Sequence, residues 1–92
     1  MTRPEFIEFV AQLCEEFGGS ITSWVRTKKR NTMVGGHPRS RHMTGFGVDV
    51  VLDEETSIPA FRDAAYALGL SVLDEGDHLH IQPFGSVGRL PT

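Results

Sequence analysis

The alternation in Val48-Asp49-Val50 and in His78-Leu79-His80-Ile81 constrains this 92-residue chain more than any other feature. Successive side chains of an extended strand point to opposite faces, so Leu79 and Ile81 share one face while His78 and His80 share the other. Val48, Val50 and Leu52 separate from Asp49 in the same way. Each segment thus has an apolar side that belongs in a core and a side carrying groups that can ligate metals or move protons. The expectation is an α+β fold: a small antiparallel sheet with helices packed on one side and a metal site on the sheet.

The remaining elements fit that plan. Phe6, Phe9, Val10, Leu13, Cys14 and Phe17 recur at three- and four-residue spacing, which predicts a helix over 4–17 with Pro4 in its first turn and Gly18-Gly19 as its stop. Ile21, Thr22, Trp24 and Val25 predict a strand over 20–27. Residues 28–41 read as a loop, long for so small a chain and therefore suggestive of function. A strand is expected over 46–52, then a helix over 59–68 capped by Thr56 or Ser57. Residues 70–73 and 78–82 form a hairpin across Asp74-Glu75-Gly76-Asp77. The tail over 83–92 is expected to be irregular, and the whole chain to be a single domain.

Composition excludes several functions. A net charge of −3 gives no basic footprint for nucleic acid, and the short run Lys28-Lys29-Arg30 reads as a solvated loop. No stretch approaches the roughly 20 apolar residues of a membrane span, so membrane insertion is not expected. The N-terminus lacks the apolar segment of a signal peptide, which implies synthesis in the cytoplasm and separate delivery to any external substrate. Cys14 is the single cysteine and falls on the apolar helix face, as a buried thiol rather than a nucleophile. The chain is expected to be a monomer.

The chemistry-bearing residues are few. His42 and Asp49 stand seven positions apart, and His80 returns from a distant part of the chain. Two imidazoles and one carboxylate form a candidate Zn²⁺ set that leaves the fourth tetrahedral position open. Strand geometry puts His78 beside that set as a proton carrier. Asp77, at the mouth of the strand, competes for the same role. His37, beside Pro38, reads as a loop residue.

Taken together, Ser23-Trp24-Val25-Arg26-Thr27, Asn31, Val34-Gly35-Gly36, Ser40-x-His42-x-x-Gly45-x-Gly47-x-Asp49 and His78-x-His80 resemble the D-Ala-D-Ala carboxypeptidase family of zinc peptidases. That family groups with the lysostaphin-type enzymes and the hedgehog signalling domain. Gly47 stands where the family usually carries Ala, a substitution of one small residue by another.

The resemblance implies roles. His42, Asp49 and His80 match the zinc ligands, and Arg26 matches an arginine that anchors substrate or polarises its scissile carbonyl. His78 matches the catalytic histidine of the His-x-His branch. Asp77 occupies the place of the glutamate in a Glu-x-x-His branch, with a side chain one methylene shorter. Ser40 matches a residue near the ligands. The implied substrate is the stem peptide of peptidoglycan, cut after D-Ala or between L-Ala and D-Glu, and the small size suggests a phage-encoded lysis or virion enzyme. The alternative is a zinc-stabilised binding module of the same fold without turnover.

Overall fold

The computed structural model describes residues 1–25 and 45–84. Helix α1 (Arg3–Phe17) precedes strand β1 (Gly19–Ser23). Strand β2 (Val48–Leu52), helix α2 (Ile58–Ala67) and strands β3 (Leu70–Asp74) and β4 (Leu79–Pro83) follow. All pairings are antiparallel and the strand order is β1-β2-β4-β3.

Local chemistry sets the helix boundaries. The Thr2 hydroxyl accepts from Glu5 N–H at 3.2 Å, and the Glu5 carboxylate accepts from Thr2 N–H at 2.8 Å. This capping box satisfies two of the donors that every helix start leaves unpaired. Gly18, at φ +87°, ends the helix. A Cβ there would also crowd the Asp53 carboxylate at 2.8 Å, so the positive φ and the close approach both favour glycine. Of the two proposed caps for α2, Ser57 is the one used, accepting from Ala60 N–H. Thr56 instead directs its hydroxyl at the carbonyls of Phe17 and Gly18, fastening the end of α1 to the start of α2.

Both helices lie against one face of the sheet. Phe6, Val10 and Leu13 of α1 and Phe61 and Ala65 of α2 join Val48, Val50, Leu70, Val72, Leu79 and Ile81 in one buried cluster. The register explains which strand residues take part: Val48 pairs with Ile81, Val50 with Leu79, and Val72 with Ile81. At roughly 25 cal/mol per Å² of apolar surface removed from water, side chains of this size contribute about 1.5–3 kcal/mol each. Cys14 is buried at the edge of the cluster, and that burial pushes its thiol pKa up. No helix among the described residues is long and apolar enough to cross a membrane.

Several boundaries differ from the sequence reading, most by one or two residues. Strand β1 ends at Ser23 after a register shift between Ile21 and Ser23. Trp24 lies beyond the ladder, its indole N–H donating to Gly45 O at 2.8 Å. Strand β2 starts at Val48 rather than Phe46, since Gly45 at φ +82° turns the chain immediately before it. Pro83, placed in the irregular tail, is instead the last residue of β4 and pairs with Leu70. A proline fits this position because Phe84 N–H supplies the closing bond, to Gly69 O at 3.1 Å.

Candidate metal centre

The face of the sheet away from the helices carries the polar half of the alternation. Asp49 is the register partner of His80 across β2 and β4, and His80 is in turn the partner of Leu73 on β3. His80 Nδ1 lies 3.2 Å from Asp49 Oδ1, and His80 Nε2 lies 3.1 Å from Gln82 Oε1. Both Asp49 and His80 are largely shielded, at 13% side-chain exposure each. The Asp49 backbone is tied as well, its carbonyl accepting from the Thr22 hydroxyl at 3.3 Å.

His78 sits one turn of the pleat away, in the hairpin rather than in the strand expected for it. Its Nε2 lies 3.8 Å from Asp49 Oδ1 and 3.4 Å from Glu75 Oε1, and its Nδ1 lies 2.6 Å from Asp77 Oδ1. The hydrogen bond to Asp77 raises the His78 pKa above the ordinary imidazole range. Partial burial opposes this, and the charges of Asp49, Asp77 and Glu75 reinforce it. Asp77 is pulled in the other direction by the same bond and is itself fully in solvent. The imidazole therefore joins an exposed carboxylate on one side to a shielded one on the other.

The chain leading into β2 is fixed from three directions. Gly45 takes the positive φ of +82° that favours glycine, with the Arg3 side chain packed where a Cβ would stand, and its carbonyl receives the Trp24 indole. Phe46 packs against Phe6 of α1 at a ring separation of 6.0 Å. These contacts hold the start of β2, and with it Asp49, against the body of the fold.

Sequence reasoning missed two residues here. Gln82 shares a face with His80 two positions on, a relation the strand period contains. Glu75 comes from the hairpin turn, and it forms with Asp49 and His80 a group whose potential ligand atoms lie within 4.8 Å of one another. A pocket of about 230 Å³ opens beside His78 and Asp77, with Val51, Ile58 and Asp74 also in its wall. It does not reach Asp49 or His80. Arg26, Ser40, His42 and the 28–41 loop lie outside the described residues.

The donor chemistry of the described residues suits zinc. An imidazole and a carboxylate are both ordinary Zn²⁺ ligands. When Nε2–H of His80 donates to Gln82, the Nδ1 lone pair turns toward the Asp49 carboxylate. Two acceptors 3.2 Å apart suit a shared cation, and a ligating histidine characteristically donates its other N–H to such an oxygen.

The family comparison decides between readings. The family model for Peptidase M15 matches residues 2–82, from the capping box of α1 to the penultimate residue of β4. The chain belongs to the peptidase M15 family. Membership implies a zinc-dependent peptidase, and the M15 match takes in every described element but the last residue of β4. No curated protein and no solved structure matches the chain.

Proposed function

We propose that this M15 chain hydrolyses the stem peptides of peptidoglycan, as a D,D-carboxypeptidase or an L-Ala–D-Glu endopeptidase, with zinc held by His42, Asp49 and His80. The observation that carries the reading is the juxtaposition of Asp49 and His80 at 3.2 Å on the open face of the sheet, in a chain whose family is zinc-dependent. When bound, zinc supplies Lewis-acid polarisation of the scissile carbonyl and makes an attached water acidic enough to lose its proton near neutral pH.

The chain's own residues handle what remains. His78 presents Nε2 toward Asp49 and holds Nδ1 against Asp77, so Nε2 is the atom that takes and returns the proton. The competition between His78 and Asp77 then resolves into a division of labour. Asp77 orients the ring and stabilises its charged form, while His78 faces the reacting groups. Arg26 offers planar paired donors to a substrate carbonyl or carboxylate. The binding-module alternative is disfavoured by this pairing, which a site without turnover has no need to maintain.

The test is metal analysis of the purified protein together with mass spectrometry of muropeptides incubated with it. One zinc per chain with release of D-Ala, or with a divided stem peptide, is the expected result and names the bond. Zinc with intact muropeptides would overturn the peptidase reading in favour of the binding module.

A further inference from the structure

Glu75 carries an inference that rests on the zinc reading above and adds a residue to it. Its carboxylate belongs to the same converging group as Asp49 and His80, with ligand atoms within 4.8 Å of one another. The hairpin makes this approach. Asp74 pairs with Leu79, and Glu75 N–H donates to His78 O at 2.9 Å, so Gly76 and Asp77 alone form the turn. Gly76 takes the positive φ of +95° that such a tight connection demands at its first central position. The turn folds Glu75 back beside the start of β4. There, Glu75 Oε1 and Asp49 Oδ1 lie 3.4 and 3.8 Å from one nitrogen, His78 Nε2. Two carboxylates this close to each other and to the His80 imidazole supply the negative charge and the donor atoms that a divalent cation takes.

We propose that Glu75 is an exchangeable ligand of the ion held by Asp49 and His80, filling from the hairpin the position that substrate needs. Four protein ligands make a closed site, whereas three leave it open for chemistry. The two carboxylates would also balance the charge of a divalent ion. Glu75 is half exposed and sits on a turn of exposed residues, so its release disturbs no core contact. The hairpin then acts as a displaceable stopper, removed by the oxygen of an arriving peptide.

The test is titration of the metal-free full chain with Zn²⁺ and with Co²⁺, whose visible bands report coordination geometry. Wild type, Glu75→Gln and Asp49→Asn are compared, with circular dichroism verifying the fold of each. Glu75→Gln is expected to bind at least about tenfold more weakly and to lose cobalt band intensity as water completes the shell. Asp49→Asn is expected to lose binding. Wild-type affinity and spectrum in Glu75→Gln, with Asp49→Asn inert, would overturn the Glu75 assignment and leave the zinc reading standing. Weaker affinity with an unchanged spectrum would also overturn it, because a remote charge suffices for that. Absence of binding in wild type would overturn the zinc reading itself.

Discussion

Asp49 and His80, 31 positions apart in sequence, are register partners across β2 and β4, with their side chains 3.2 Å apart. The same ladder pairs Val48 with Ile81 and Val50 with Leu79 in the core. A slip of one residue would turn every one of these side chains to the wrong face. Burial of the valines therefore fixes the register that brings the carboxylate to the imidazole.

Removing either member of that pair is expected to remove the metal. Asp49→Ala and His80→Ala should purify with well under one zinc per chain by elemental analysis. Because binding energy is also folding energy in so small a domain, chelation should lower the melting temperature of the wild type and leave the variants unchanged. Full zinc occupancy in both variants would refute the assignment.

His78 and Asp77 are expected to act as a unit. His78→Ala should retain zinc while losing about 10²–10⁴-fold in kcat, the usual worth of a positioned proton carrier. Asp77→Asn should lose less, and should have no further effect in the His78→Ala background. If Asp77→Asn abolished turnover while His78→Ala matched wild type, the proton would belong to Asp77.

The core makes a separate prediction. Phe61 is fully buried and meets Phe17 edge-on at 5.9 Å, joining α2 to the end of α1. Phe61→Ala is expected to cost about 3–5 kcal/mol, read from urea unfolding. A loss below 1 kcal/mol would mean the interface between the helices collapses freely around the gap.

The capping box predicts an acid-sensitive term in stability. Backbone and hydroxyl hydrogen bonds from Thr2 hold the Glu5 pKa below its ordinary value. A carboxyl depressed in the folded state stabilises it above the unfolded pKa, and that contribution disappears as pH falls through the folded value. The difference in melting temperature between wild type and Glu5→Gln should therefore be present at neutral pH and vanish in acid. A difference that persisted unchanged at low pH would show that the carboxylate is not the source. Thr2→Ala, which removes the other half of the box, should cost about 1 kcal/mol.

Much of this architecture was legible in the sequence because its signals are periodic. The stripe from Phe6 to Phe17 defined α1 to within one residue, and the parity of Leu79 and Ile81 against His80 assigned the two faces of β4. Trp24 misled because an aromatic residue looks at home in a strand, while its actual partner, Gly45 O, is 21 positions away. Glu75 was invisible for a different reason. An acid in a turn is the ordinary choice for solubility, and only the two-residue length of the turn brings it back over β4. Gln82 was within reach of strand periodicity, but its role depends on which nitrogen of His80 it faces.

The strand order has a consequence for when Asp49 and His80 can meet. Among the described residues β4 is the last strand in chain order, yet it lies between β2 and β3. Until residues 79–83 are inserted there, Asp49 has no partner imidazole from His80 and the sheet lacks its centre. A polypeptide stopped short of that point carries Asp49 without the imidazole it pairs with. The topology works as an interlock, in which completion of the sheet and the meeting of Asp49 with His80 are a single event.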